Sequence, residues 1–107
     1  MEPVGTTLLG GGQMVVLVIY DISSDEDRSK LASLLQDYGL ERIQYSGFRG
    51  EINTHDRLIL AKEVKRFVTG ARDSVYVMRL CEECARTCHI VSNREVSLVD
   101  DSTVKVV

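Results

Sequence analysis

The 107-residue sequence lacks most features that announce a common class of protein. No apolar run approaches the roughly 20 residues of a membrane span. The N-terminus has no positive region and only Leu8–Leu9 as an apolar centre, so it does not read as a secretory signal. The protein is therefore expected in the cytoplasm, without a membrane partner. Three cysteines, an odd number confined to Cys81–Cys88, do not make the even framework of a small secreted domain. A net charge of −3 provides no globally basic surface, so a nucleic acid would have to meet a local patch. The phosphate-cradling GxxxxGK, the dinucleotide GxGxxG, HExxH and GxSxG are all missing. The sole proline and four of the eight glycines fall in residues 1–13, which read as a flexible lead-in. Residues 14–107 then form one domain, with a real but modest core that a partner subunit can supplement.

What the sequence does contain starts at Met14. Six consecutive apolar residues, Met14–Ile19, lead into Tyr20 and then Asp21. A run so rich in Val and Ile reads as a central strand buried on both faces. Asp21 stands where the run gives out. Ligands tend to gather at strand ends in helix-covered sheets, which makes Asp21 a candidate site residue. An isolated Asp at such a point more often just opens the turn before a helix.

A helix follows over Asp25–Tyr38. Ser24 caps it, Asp25–Asp27 suit the positive end of its dipole, and Gly39 supplies the left-handed position beyond its end. Leu31, Leu34, Leu35 and Tyr38 make its apolar face. Ile43 and Tyr45 alternate with polar neighbours in a second strand through Ser46. Gly47 bends that strand, a kinked continuation or separate short strand surrounds Phe48, and Gly50 closes it. Asn53 or Thr54 caps a second helix whose apolar face is Leu60, Val64, Phe67 and Val68. Lys62, Lys65 and Arg66 form its solvated face, and His55 lies on the surface at its start. Ser74–Leu80 is a further strand, and Cys81–His89 a polar turn or short helix. Short β-like pieces follow at Ile90–Val91 and Val96–Val99, and Thr103–Val107 alternates as a last strand.

The order βαββαβ describes an α+β, ferredoxin-like sandwich with both helices on one face of the sheet. The other face is left to meet a partner, and the extra C-terminal strand is expected to pair across a homodimer. In a twofold dimer a strand-end Asp21 near the axis meets its twin. Two such carboxylates repel unless a divalent cation lies between them. Hard oxygen donors with room for water suit Mg²⁺, or Mn²⁺, which can activate water against a phosphodiester. Arg28, Lys30, Arg42, Ser46, Phe48 and Arg49 are the polar, basic or stacking residues nearest to Asp21 in that architecture. Phe48 reads equally well as a core or interface residue. Cys81, Cys84, Cys88 and His89 hold the donor set of a Cys₃His zinc site. Their spacing is too compressed for the usual arrangement. Buried structural thiols, or a labile Cys81–Cys84 disulfide, suit them better.

Three segments carry a resemblance. They are Val16-Leu-Val-Ile-Tyr-Asp-Ile22 followed by Arg28, Arg42-Ile-Gln-Tyr-Ser-Gly-Phe48, and Ser74-Val-Tyr-Val-Met-Arg-Leu-Cys81 with its C-x-x-C turn. In this order the chain resembles the small CRISPR-associated proteins that form the homodimeric core of the spacer-acquisition complex, also described as metal-dependent endoribonucleases or DNases. The resemblance spans residues 14–107. It implies a ferredoxin-like homodimer in which Asp21 binds the catalytic divalent metal, with supporting roles for Arg28, Lys30, Arg42 and Phe48. It also implies partnership with the CRISPR-associated integrase, and RNA or DNA as substrate. The sequence departs from the family at Gly47, usually apolar, at Arg49, often acidic, and at Lys30, commonly Arg. A non-catalytic DNA-binding adaptor bridging integrase subunits, or a related RNA-cleaving toxin, are the alternative readings.

Overall fold

The fold is that of a computed structural model, which describes residues 9–89 and 91. The first strand, β1 (Leu9–Asp21), is the centre of a four-stranded antiparallel sheet. It begins earlier than Met14, because Gly10–Gly12 carry no hydropathy pattern through which a strand could be read. It is followed by α1 (Asp25–Asp37), β2 (Glu41–Gln44), β3 (Gly47–Asn53) and α2 (Thr54–Glu63). A 3₁₀ turn (Val64–Phe67), β4 (Ser74–Leu80) and the short α3 (Glu82–Thr87) complete the described chain. The strand order is β2-β3-β1-β4, the ferredoxin-like order. Val18 pairs with Phe48 on one side and Val77 on the other, and Asp21 pairs with Ser74. The segments read as a C-terminal strand and its β-like forerunners, apart from Val91, lie outside the described residues.

One main core fills the space between sheet and helices. Val16, Val18 and Tyr20 of β1 meet Phe48 and Ile52 of β3, Leu31 and Leu35 of α1, and Leu60, Val64 and Phe67 beyond them. These are the residues that the periods of 2 and 3.6 bring to one face of each element. Val68 was expected in this set but is 38% exposed, because the helix tightens into a 3₁₀ turn and rotates it outward.

The reading of β1 as buried on both faces needs correction. Both long helices lie on one side; on the other side, among the described residues, α3 packs Ala85 against Val15, with Leu17, Leu80 and Cys88 around them. Further along that open face, Ile19 is 43% exposed and its register partner Tyr76 is 60% exposed.

The hairpin also departs from expectation. Tyr45 and Ser46 form a turn, Gly47 begins β3, and Gly50 lies inside that strand rather than at its end. Gly50 is required by a close approach, since a Cβ there would stand 3.0 Å from the Leu40 Cα. Ser24 and Asn53 cap α1 and α2, each accepting a backbone N–H through its side chain (3.1 and 2.7 Å). Gly39, at φ 87°, turns the chain out of α1.

Candidate functional site

The site is built around the end of β1. Asp21 is the last residue of the strand and is exposed. Side chains alternate along a strand, so Asp21 shares the open face with Ile19, while Tyr20 faces the helices and is buried. The chain beyond Asp21 is clamped. The Asp73 carboxylate accepts from the Ser23 N–H (3.0 Å), the Ser23 hydroxyl (2.9 Å) and the Gly70 N–H (2.8 Å). The Gly70 amide, followed by that of Ser23, holds the Asp73 carboxyl below its ordinary pKa. On the other side Arg28 donates to the Ile22 carbonyl (2.9 Å) and pairs with Asp25. The hydrogen bond that Arg28 donates to Asp25 keeps its guanidinium above its ordinary pKa. Arg28 and Asp73 thus fix the backbone that carries Asp21.

A cleft of about 120 Å³ lies on the helix side of this strand end, lined by Tyr20, Arg28, Ser29, Ala32, Arg42 and Tyr45. The hairpin turn forms one wall. Tyr20 donates its N–H to the Ser46 carbonyl (3.1 Å) and its hydroxyl to the Tyr45 carbonyl (3.4 Å). Arg42 also donates to the Tyr45 carbonyl. Its guanidinium covers the Phe48 ring at 4.8 Å, while that of Arg28 stands 5.7 Å from the Tyr45 ring centroid.

Of the expected site residues, the fold brings Asp21, Arg28 and Arg42 to one end of the sheet, with Ser46 contributing its backbone. Lys30 is not among them. It points the other way from α1, pairs with Glu26 (3.1 Å) and borders a separate groove of about 510 Å³ with Asp27, Asp37 and Arg66. Phe48 is wholly buried, so as an exposed stacking residue it is ruled out, and it instead supports Arg42. Arg49 is buried on the open face between Glu41 (3.9 Å) and Glu51 (4.0 Å). Tyr45, Ser23 and Asp73 were missed. Tyr45 passes for an inward residue in the alternation of β2, and only the two-residue turn reveals that it is 71% exposed.

Asp21 suits a hard divalent cation by donor chemistry. Mg²⁺ characteristically takes one or two carboxylates and keeps several waters. Among the described residues no three His, Cys, Asp or Glu side chains gather around a common point. The cysteines do not assemble the Cys₃His set either. Cys81 and Cys84 are exposed, contrary to the expectation of buried thiols, and only Cys88 is half-buried. Cys81 Sγ accepts from the Cys84 N–H (3.3 Å), which lowers its pKa, while the thiol of Cys84 is raised by its hydrogen bond to Cys81. Lys62, Lys65, Arg66 and His55 are exposed, as expected. No helix among the described residues is long and apolar enough to cross a membrane.

Fold and site together define a small ferredoxin-like α+β protein with an acidic strand end beside an arginine-lined cleft. Residues 14–88 match the family described as CRISPR associated protein Cas2. The chain belongs to this family. It is 47% identical over 94 residues to CRISPR-associated endoribonuclease Cas2 1 of Archaeoglobus fulgidus, covering 88% of this chain and 100% of that protein. It is 35% identical over 71 residues to a CRISPR-associated endonuclease Cas1/endonuclease Cas2 fusion of Thermoproteus tenax, covering 66% of this chain and 27% of the fusion. A crystal structure of cas2 superposes with a TM-score of 0.63 at 29% identity, covering 82% of this chain and 95% of that one.

Proposed function

We propose that this protein is a metal-dependent endonuclease of the CRISPR spacer-acquisition machinery, cleaving phosphodiesters of RNA or DNA as a homodimer. The observation that carries the reading is Asp21, exposed at the end of the central strand and held there by the Arg28 and Asp73 clamps. The endoribonuclease name of the 47% identical relative supports it. In this reading Asp21 and its twin across the dimer axis would hold Mg²⁺ or Mn²⁺, which when bound would supply water activation and charge neutralisation at the phosphate. Arg28 positions the strand end that bears Asp21. Arg42 offers its guanidinium fork to a phosphate oxygen. The open face with Ile19 and Tyr76 is the surface through which two protomers meet.

The test is cleavage of RNA and DNA with Mg²⁺, with Mn²⁺ and with EDTA, comparing wild type with Asp21→Asn. Metal-dependent cleavage should vanish in the variant while its fold and dimerisation persist. Undiminished cleavage by Asp21→Asn would overturn the reading.

A second reading has one observation in its favour. The Thermoproteus tenax relative is joined to Cas1 in a single chain, and this protein would then act as an adaptor dimer that binds DNA and bridges integrase subunits without cutting. In that case Asp21→Asn would leave spacer integration intact. Loss of integration with assembly preserved would count against pure bridging.

A further inference from the structure

We infer that the cleft behind the β1 end binds one unpaired nucleotide, with its base stacked on Tyr45 and its phosphate on Arg42. The inference rests on the nucleic-acid reading above and adds to it a strand-recognition residue.

Tyr45 is 71% exposed although it sits in a two-residue turn between paired strands. A large aromatic ring held in water at a turn stabilises nothing in the core. The turn itself is anchored. Tyr20 donates to the carbonyls of both turn residues, and Arg42 donates to that of Tyr45. The Tyr45 backbone is therefore pinned while its ring is left in water. Arg28 supplies a cation near this ring, and Arg42 uses the Phe48 ring as its own platform. An aromatic surface with two guanidinium groups beside it matches a nucleotide, whose π-face and phosphate are the two parts to be met.

The shape is selective. The cleft, about 120 Å³ and lined also by Tyr20, Ser29 and Ala32, is of a size for one base rather than for a base pair. A base within a duplex is already stacked on both sides and cannot reach Tyr45 without being flipped out. Tyr20 and Asp21 are neighbours in the chain but face opposite sides of the sheet. A strand seated in the cleft would pass round the end of β1 to reach the carboxylate. The cleft would thus hold a nucleotide next to the scissile position.

The test measures binding in EDTA, where metal-dependent cleavage does not interfere, using single-stranded RNA and DNA oligonucleotides containing 2-aminopurine and a blunt duplex of the same sequence. Wild type should prefer both single strands to the duplex and should quench the 2-aminopurine. Base–aromatic stacking is worth about 1–3 kcal/mol, so Tyr45→Ala should bind single strands roughly five- to 150-fold more weakly and lose the quenching. Tyr45→Phe keeps the ring and should stay within about twofold of wild type. The exposed site makes both substitutions compatible with folding, which thermal melts would verify. Equal affinity of Tyr45→Ala and wild type, failure of Tyr45→Phe to restore binding, or duplex bound as tightly as single strand would each overturn the inference. The RNA and DNA arms show which backbone the cleft prefers. Retained cleavage by Asp21→Asn would instead refute the catalytic reading without altering these affinities.

Discussion

Phe48 offers the sharpest test of the physical argument, because the sequence allows it two incompatible roles. As a ring that stacks on substrate, it would lie at the surface, and truncating it would weaken oligonucleotide binding while leaving stability alone. The structure places it at 0% exposure beneath Arg42, packed in the same core as Val16, Val18 and Leu35 and at 6.3 Å from the Tyr20 ring. Phe48→Ala removes the ring and leaves a void that close-packed neighbours cannot fill. Such changes cost about 3–5 kcal/mol. A domain of this size has about 5–15 kcal/mol of stability in all, so the variant should be marginal. At roughly 4–8 °C per kcal/mol, the midpoint should fall by well over 10 °C. Phe48→Leu keeps most of the apolar volume and should cost less than about 2 kcal/mol. The assay is thermal and urea denaturation at one fixed protein concentration, since the proposed dimerisation would make midpoints concentration-dependent. Phe48→Ala melting within about 2 °C of wild type would refute the core assignment, all the more if its binding had collapsed.

Two further predictions concern titratable groups. Burial, aided by the hydrogen bond that Tyr38 donates to Glu63 (2.5 Å), pushes the Tyr38 phenol from its ordinary 10.0 up to about 12. The folded value is the higher one, so the stability this pair lends is complete below pH 10 and is lost as pH rises through about 12. Ultraviolet titration should show a late tyrosine ionisation that Tyr38→Phe removes; a titration curve whose late step survives in Tyr38→Phe would contradict it. Among the thiols, Cys81 should react first with a disulfide reagent at neutral pH, because the Cys84 amide stabilises its thiolate. Peptide mapping that found Cys84 labelled ahead of Cys81 would refute this.

Much of the architecture is local physics. The continuous apolar, Val- and Ile-rich run before Asp21, the Ser24 and Asn53 caps, Gly39 and the i, i+3, i+4 spacing of Leu31, Leu34 and Leu35 determine strand, helix and turn with little help from distant residues. Each can be read in order along the chain, and together they lead to the βαββαβ sandwich. They also mark Asp21 as the carboxylate where the central strand ends. What depends on residues far apart in sequence was left to the tertiary structure. Hydropathy is blind to whether an aromatic lies under a helix or in a turn, so Phe48 and Tyr45 exchange roles once Phe48 pairs with Val18 and the turn is pinned to Tyr20. Helical rotation turns Lys30 away from the cleft that Arg28 enters, although only one residue lies between them. Asp73 stands 50 residues from Ser23, and no local pattern foretells their clamp, which exists only because β4 returns beside β1. The sequence by itself determined the elements and the carboxylate at the end of β1. Tertiary packing alone decided which side chains stand beside that strand end, since their proximity comes from strand pairing and not from spacing along the chain.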